Sequence, residues 1–385
     1  MQLPNYRNSI VNLTSSIMHS LGVKNTYPRL RIINNDKLKK KTNIVLIVLD
    51  GVGYNYLKKY GNGGLLNSNI KAKLTSVFPS TTASAIPCFF TGFPAQQTAM
   101  TGWNVFLKEI GMQATILPSI PRINGVKFSD VNVDLKEIYP KKSFLDKIKR
   151  DVYLVTEKNI VDSDFNLRMN GKSKVLTYDG NSLNGFFRQI TKAIKKKNKK
   201  YIYAYWPYFD KTCHKHGTED KLTLAHFIEI ERKLSYFVKT IKDTNTTIII
   251  TADHGFTNVP NNKLIKVDDH PKLKECLVMP LTGEKRVAYA YVKPFKVKDF
   301  ENYIKTNLKH ACWLYKSQDL VDKNFFGLYK PEPKLLDRIG DYTLIMKEHY
   351  GIKDQVINHP DHPTLGRHGG VSESEMFVPL VMFDV

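Results

Sequence analysis

Long apolar runs and cysteines are both scarce in this chain of 385 residues. The longest apolar run, "IVLIVL" at 44–49, is much shorter than the roughly 20 residues of a membrane-spanning helix. The cysteines, at positions 88, 213, 276 and 312, are too few and too dispersed for a disulfide framework or a cysteine-ligated zinc site. We therefore expect no membrane anchor and reduced cysteines. Because the N-terminal sequence shows no secretory signal, we also expect a cytoplasmic location.

Acidic residues are under-represented, since 36 Asp and Glu stand against 58 Lys and Arg, which leaves a net charge of +22. Such an excess is compatible with a polyanionic partner such as nucleic acid. The basic residues are spread along the chain, however, and the one dense run, "KKKNKK" at 195–200, is typical of a solvated connection. A non-catalytic basic protein that binds nucleic acid therefore stays open as an alternative, supported by the charge alone.

Buried strands and amphipathic helices alternate along the first two thirds of the chain. The run "NIVLIVLDG" at 43–51 has no polar alternation, which is typical of a strand covered on both faces of a parallel sheet. Further strands are predicted at 151–156, 201–206 and 246–255, and helices at 6–21, 181–194 and 222–242. Strands that alternate with helices indicate a doubly wound α/β core.

The region after residue 259 has a different pattern. Residues 286–292 alternate like a half-exposed strand, residues 297–308 form a short amphipathic pattern, and residues 335–346 end in another strand. We therefore predict an α/β core made of residues 1–259 and 346–385, interrupted by a small α+β insertion at 260–345.

Three predicted buried strands are each followed by an aspartate, namely Asp50, Asp210 and Asp253, and histidines His214 and His254 follow two of these. Sites in open α/β sheets form beyond the carboxyl ends of the strands, so these side chains are expected to converge. A single such aspartate is usually a cap or turn residue, and a single histidine is usually a core residue. The repetition favours a divalent cation, for which mixed histidine and carboxylate ligands suit zinc, with manganese as an alternative.

Three adjacent hydroxyls, on Ser80, Thr81 and Thr82, precede an apolar segment that predicts a helix from about residue 82. A hydroxyl at a helix N-terminus lies beside free backbone N–H groups and can cap the helix. Beside a metal ion, the same hydroxyl can act as a nucleophile. The residues alone leave both roles open, and Pro87 weakens or kinks the predicted helix.

Six segments, taken in order, resemble the alkaline phosphatase superfamily and most closely its nucleotide pyrophosphatase/phosphodiesterase branch, the type I phosphodiesterases. They are "VLDG" (48–51), "FPSTTASAIPCFFTG" (78–92), "GWN" (102–104), "DKTCHKHG" (210–217), "TADHG" (251–255) and "GRHGG" (366–370). The resemblance implies an alkaline-phosphatase-like fold, with a central, mostly parallel β-sheet and helices on both faces. It also makes the 260–345 insertion a candidate lid.

The resemblance further implies a site with two divalent metal ions. One metal ion would be surrounded by Asp50, Thr82, Asp253 and His254, and the other would be held by Asp210, His214 and His368. Thr82 matches the nucleophile of the family, which leaves capping or loop roles for the two preceding hydroxyls. Asn104 matches the asparagine that hydrogen-bonds a phosphoryl oxygen.

His368 is identified through the resemblance, because spacing alone does not distinguish it from His359 and His362. The glycines that flank His368 in "GRHGG" favour it over these two competitors.

The activity implied is hydrolysis of phosphodiester or pyrophosphate bonds in a small, nucleotide-like substrate, through a covalent intermediate on Thr82. Relatives often carry a phenylalanine directly after the nucleophile, where it helps to hold the base, and this chain has Ala83 instead. Tyr205 is a candidate to replace that contact with the substrate, with a core role as its alternative. Phosphomonoesterase activity at the same site is the alternative function.

Overall fold

A seven-stranded sheet forms the centre of the computed structural model, which describes residues 1–123, 125–356 and 364–385. Its strands, in spatial order, are Ile70–Thr75, Phe377–Asp384, Thr246–Thr251, Asn43–Leu49, Lys200–Trp206, Asp151–Glu157 and Lys174–Tyr178. The last five are parallel to one another, whereas Phe377–Asp384 is antiparallel to both of its neighbours. The predicted mostly parallel sheet is confirmed, and all four predicted core strands lie in it.

Helices cover both faces of this sheet, so every residue of the strand Asn43–Leu49 is buried. The α-helices are Ile10–Ser20, Asn35–Lys40, Tyr54–Tyr60, Leu65–Ser68, Thr82–Thr91, Ala95–Thr98, Leu135–Ile138, Asp164–Asn170, Leu183–Ile194, Tyr208–His216, Lys221–Thr240, Pro271–Cys276, Val297–Tyr303, Ser317–Asp322 and Glu373–Met376. Short 3₁₀ segments span Lys108–Ile110, Phe128–Val131, Leu145–Lys147, Asn261–Lys263, Val267–Asp269, Pro294–Lys296 and Leu336–Arg338, and Ile304–Leu308 is a π-helical turn.

Local chemistry decides where two of the predicted helices begin and continue. The helix predicted at 6–21 begins only at Ile10. Ser9 is its N-cap, and the backbone N–H of Ser9 donates to the Asn12 side chain at 3.0 Å, which fixes the start of the helix at this point. The helix Thr82–Thr91 includes Pro87 and continues for four residues beyond it. All ten of its residues are buried, so tertiary packing supports a helix that propensity alone disfavours.

A second, antiparallel sheet also has seven strands. In spatial order these are Cys312–Lys316, Tyr342–Met346, Val287–Ala290, Thr282–Gly283, Asn104–Leu107, Met112–Thr115 and Ile120–Pro121. The pairing of Gly283 with Asn104 joins the strands from the predicted insertion to the three strands from 104–121. The insertion therefore shares a sheet with part of the predicted core, while the boundary at 260–345 stays a prediction.

The strand predicted to be half-exposed at 286–292 is fully buried over Val287–Ala290. Its alternation has a different cause, because Ala288 and Ala290 pack into one apolar cluster while Val287 and Tyr289 pack into another. Alternation along this strand therefore separates two cores rather than core from solvent. Two small ladders complete the sheets, Thr257–Asn258 with Gly366–Arg367 and Leu264–Lys266 with Gly351–Lys353.

Within the described ranges, no helix combines the length and the apolar character that a bilayer crossing requires. All four cysteines are buried and none is in a disulfide. The cytoplasmic location stays a prediction from the sequence.

Candidate active site

Asp50, Asp210 and Asp253 lie together beyond the carboxyl ends of three adjacent parallel strands. Asp50 directly follows Asn43–Leu49, Asp253 comes two residues after Thr246–Thr251, and Asp210 lies in the first turn of the helix that follows Lys200–Trp206. The convergence expected from the sequence is therefore present, because parallel strands bring their carboxyl ends to one edge of the sheet.

One group of side chains gathers around Nε2 of His254. This nitrogen lies 3.4 Å from Oδ1 of Asp50 and 3.4 Å from Oδ2 of Asp253. The hydroxyl oxygen of Thr82 is 3.1 Å from the same nitrogen. Ligand atoms of Asp50, Asp253 and His254 lie within 4.8 Å of one another, as a metal site requires.

A second group gathers around Oδ1 of Asp210. This oxygen lies 3.4 Å from Nε2 of His214 and 3.6 Å from Nε2 of His368, and the two nitrogens are 3.1 Å apart. Asp210, His254 and His368 also bring ligand atoms within 4.8 Å of one another. The two groups are contiguous, because Nε2 of His254 lies 4.0 Å from Oδ1 of Asp210.

The backbone orients two of these imidazoles toward the centre of the site. Nδ1 of His214 lies 2.9 Å from the carbonyl oxygen of Gly366, and Nδ1 of His254 lies 3.1 Å from that of Gly255. A carbonyl only accepts, so Nδ1 carries the proton and Nε2 keeps its lone pair. Burial lowers the pKa of His214 to about 3 and also lowers the pKa values of His254 and His368. The imidazoles are therefore neutral and able to bind a cation.

The aspartates present buried oxygens that no described residue satisfies. These are Oδ1 of Asp50, Oδ1 of Asp210 and Oδ2 of Asp253. The other oxygen of Asp253 accepts from the backbone N–H groups of Gly51 at 3.1 Å and His254 at 3.0 Å. Burial, together with the charge of Asp253, raises the pKa values of Asp50 and Asp210. Unsatisfied carboxylate oxygens beside imidazole lone pairs fit divalent cations in both their chemistry and their charge.

A cavity of about 810 Å³ opens over these groups, with Thr82, Asp210, His214 and His368 on its wall. Asn104 also lines the cavity, and its Oδ1 accepts from the hydroxyl of Thr115 at 3.4 Å. Asn104 belongs to the second sheet, so residues of both sheets line the cavity.

Tyr205, the predicted substrate contact, is not among the residues that line this cavity. Its hydroxyl instead donates to Oδ2 of Asp50, so the structure places Tyr205 behind a proposed ligand. His359 and His362, the competitors of His368, lie outside the described residues.

Trp103 and Glu284 are among the cavity-lining residues that the sequence did not indicate. Glu284 belongs to the predicted insertion, and nothing in its local pattern connects it with the strand ends. Trp103 is 39% exposed, and its position between Gly102 and Asn104 in "GWN" is the signal that could have identified it.

Three carboxylates, three histidines and a helix-terminal threonine lie together at the carboxyl edge of a mostly parallel sheet. This combination of fold and site is that of an alkaline-phosphatase-like hydrolase. The chain belongs to the family of type I phosphodiesterases and nucleotide pyrophosphatases, whose model matches residues 44–370. It is therefore a hydrolase that acts on phosphoric esters, and the resemblance found in the sequence is confirmed. Family membership makes the chain an enzyme, while the binding of nucleic acid suggested by the net charge stays a prediction.

Solved structures share this fold at low sequence identity. Murine ectonucleotide pyrophosphatase/phosphodiesterase 5 superposes with a TM-score of 0.67 at 18% identity, over 89% of this chain and 87% of that one. The human protein of the same name superposes with a TM-score of 0.64 at 17% identity, over 89% of this chain and 87% of that one. Phosphonoacetate hydrolase from Sinorhizobium meliloti 1021, in complex with phosphonoformate, superposes with a TM-score of 0.62 at 18% identity, over 88% of this chain and 89% of that one.

Proposed function

We propose that this protein is a metal-dependent hydrolase that cleaves phosphodiester or pyrophosphate bonds in nucleotide-like substrates through a covalent intermediate on Thr82. The observation that carries the proposal is the position of the Thr82 hydroxyl, 3.1 Å from Nε2 of His254, in the cavity that Asp210, His214 and His368 also line. A structure of an inactive variant of the murine relative, in complex with AMP, supports a nucleotide-like substrate.

The donor set supports a site for two divalent cations, most simply zinc, with manganese as the alternative. Asp50, Thr82, Asp253 and His254 would surround one cation, and Asp210, His214 and His368 would hold the other. When bound, such cations lower the pKa of a neighbouring hydroxyl and neutralise the charge that develops on phosphoryl oxygens.

The residues of the chain perform the displacement in two steps. The Thr82 hydroxyl gives its proton to solvent as Oγ1 attacks phosphorus, the bond from phosphorus to the leaving oxygen breaks, and the leaving oxygen takes a proton from solvent. The phosphoryl or nucleotidyl group that remains is then an ester of Thr82. A water molecule attacks the same phosphorus, the bond to Oγ1 breaks, one proton of the water returns to Oγ1, and the phosphate or nucleotide product leaves. The positive N-terminal end of the helix Thr82–Thr91 would lie beside the anionic phosphoryl group. Because Oδ1 of Asn104 accepts from Thr115, its amide N–H group is the part left to donate to a phosphoryl oxygen.

The size of the cavity favours a diester over a monoester. A volume of about 810 Å³ exceeds what a single phosphate needs, so a second substituent on phosphorus has room. We therefore expect bis-nitrophenyl phosphate to be cleaved with a higher kcat/KM than nitrophenyl phosphate. The opposite ranking, measured with the same metal-loaded preparation, would assign the protein as a phosphomonoesterase.

The nucleophile is tested by Thr82→Ala, which we expect to abolish turnover while leaving about two metal ions per chain by elemental analysis, since six other ligands remain. Ser80→Ala is the matched control. The hydroxyl of Ser80 donates to the carbonyl oxygen of Gly370 at 2.7 Å, so its loss is expected to cost about 1 kcal/mol of unfolding free energy with turnover retained. An active Thr82→Ala together with an inactive Ser80→Ala would show that another hydroxyl is the nucleophile.

A further inference from the structure

Glu284 connects the two segments that carry the proposed nucleophile and the proposed phosphate contact. Its Oε1 accepts from the hydroxyl of Thr81 at 2.6 Å and from the backbone N–H of Trp103 at 2.7 Å. Thr81 directly precedes Thr82, and Trp103 directly precedes Asn104. One oxygen atom of Glu284 therefore connects the segment of Thr82 with the segment of Asn104, and the phosphoryl group would lie between these two segments.

The second sheet holds Glu284 in place. The strand Thr282–Gly283, which directly precedes it, pairs with Asn104 through Gly283 and with Val287–Ala290 on its other side. The backbone N–H of Glu284 donates to the carbonyl oxygen of Val287 at 2.7 Å, which closes the turn. The carboxyl group is thus attached to a hydrogen-bonded sheet rather than to a free loop.

The same turn also contacts the segment that carries His368. Gly369 has φ +108°, and a Cβ built on it would lie 2.9 Å from Cβ of Glu284, so only glycine allows this approach. Two residues after Glu284, Arg286 binds Glu375 with Nε at 3.0 Å and Nη2 at 2.9 Å. Glu375 in turn accepts from the backbone N–H of Gly370 at 2.8 Å. The turn therefore touches both halves of the site.

We propose that Glu284 is a positioning residue for phosphoryl transfer, which sets the separation of Thr82 and Asn104 and makes the second sheet part of the catalytic apparatus. The inference rests on the proposed function of these two residues. Two hydrogen bonds at one oxygen hold the segments of Thr82 and Asn104 at a fixed separation. A displacement of about 1 Å in a reacting group can cost about 100-fold in rate, so this separation matters for phosphoryl transfer.

The effect of Glu284 acts through hydrogen-bond acceptance rather than through its charge. Burial raises the pKa of Glu284 to about 7, and both the ionised and the neutral carboxyl group offer Oε1 as an acceptor. Glu284→Gln keeps that acceptor and is expected to retain at least about a third of kcat, whereas Glu284→Ala removes it.

The decisive comparison is made at Thr81, where the donor can be removed without change of shape. Thr81→Val is expected to lower kcat by about 10- to 100-fold, with KM changed by less than about threefold and metal content unchanged. Thr81→Ser keeps the hydroxyl and is expected to restore kcat to within about threefold of the natural enzyme. Thr91→Val is the matched control, because the Thr91 hydroxyl is buried in the same helix and bonds the carbonyl oxygen of Pro87 at 2.8 Å.

Two results would overturn the inference: a Thr81→Val enzyme whose kcat falls no further than that of Thr91→Val, or a Thr81→Ser enzyme as slow as Thr81→Val. If Glu284→Ala does not fold, the comparison of Thr81→Val with Thr81→Ser still tests the inference. An active Thr82→Ala would refute the proposed role of Thr82 as nucleophile, on which this inference rests. An inactive Thr82→Ala with a fully active Thr81→Val would refute only the positioning role.

Discussion

At the scale of single residues, three adjacent hydroxyls have three different partners. The hydroxyl of Ser80 binds the backbone at Gly370, that of Thr81 binds Glu284, and that of Thr82 faces His254. Successive side chains in an extended entry to a helix point in different directions, so neighbours in sequence are not neighbours in function. Residue type alone could not separate the proposed nucleophile, Thr82, from its two neighbours, whose hydroxyls bind other parts of the chain.

Tyr205 gives a prediction at this scale, because its hydroxyl donates to the carboxylate of Asp50. This hydrogen bond stabilises the ionised form of Asp50, the form that binds a cation, against burial, which raises the pKa of that group. Tyr205→Phe is therefore expected to weaken metal binding about 10-fold or more, measured by competition with a chelator of known affinity.

The control for this substitution lies two residues earlier on the same strand. The hydroxyl of Tyr203 is buried and has no hydrogen-bond partner in the described part of the chain. Tyr203→Phe is expected to leave metal affinity unchanged. Equal affinity in Tyr205→Phe and Tyr203→Phe would show that the bond to Asp50 does not support metal binding.

At the scale of elements, the buried ion pair of Arg286 and Glu375 joins the second sheet to the short helix Glu373–Met376. Burial raises the pKa of Glu375, but the charge and hydrogen bonds of Arg286 outweigh burial and leave that pKa below its usual value. Breaking such a buried pair from one side costs about 3 kcal/mol or more. The connection between the two sheets therefore depends on an ionised Glu375.

A pH prediction follows for this ion pair. Because the folded pKa of Glu375 is lowered, its contribution to stability is complete above the usual glutamate pKa of about 4.3 and is lost as pH falls through the folded value. Glu375→Gln is expected to reduce the free energy of unfolding at pH 7, and the difference from the natural protein should shrink below pH of about 4. Urea unfolding at several pH values measures this difference.

Glu219→Gln serves as the control at this scale, since Glu219 pairs with Lys59 where both side chains are largely exposed. Its unfolding free energy is expected to match that of the natural protein at every pH, because exposed pairs contribute little. A difference for Glu375→Gln that does not change with pH would show that packing, rather than charge, connects the sheets.

At the scale of the whole molecule, metal binding is expected to be a major source of stability. Three aspartates, of which Asp50 and Asp253 are buried and Asp210 is partly buried, repel one another at the sheet edge. Each of them leaves a buried oxygen unsatisfied among the described residues. Chelation should therefore lower Tm, and zinc or manganese at 100 times its Kd should restore about 2.7 kcal/mol of unfolding free energy for each site that it occupies. Thermal unfolding followed against metal concentration measures this gain.

The substitution Asp50→Asn is expected to change Tm in opposite directions without and with metal. Without metal, this variant has one fewer buried charge and is expected to have a higher Tm than the natural protein under chelation. With metal, it lacks a ligand and is expected to have a lower Tm. If Asp50→Asn lowers Tm equally in both conditions, Asp50 has a structural role and does not bind a metal ion.

The sequence by itself determined the parallel core and the convergence of Asp50, Asp210 and Asp253. Uninterrupted apolar runs mark strands that are buried on both faces, and parallel strands necessarily end at one edge of their sheet. Both inferences need only local patterns and one general property of α/β folds. Local patterns were not enough to identify His368, because only its family motif distinguished it from other histidines near the C-terminus.

The tertiary structure alone decided which groups surround these proposed ligands. Glu284 meets Thr81 across 203 positions of the chain and Trp103 across 181, and no local pattern records contacts of that range. Tyr205 likewise lies behind Asp50 because their strands are adjacent in the sheet, with 155 positions between them in the sequence. Strand order and side-chain packing create these contacts, and both depend on the free energy of the whole folded chain.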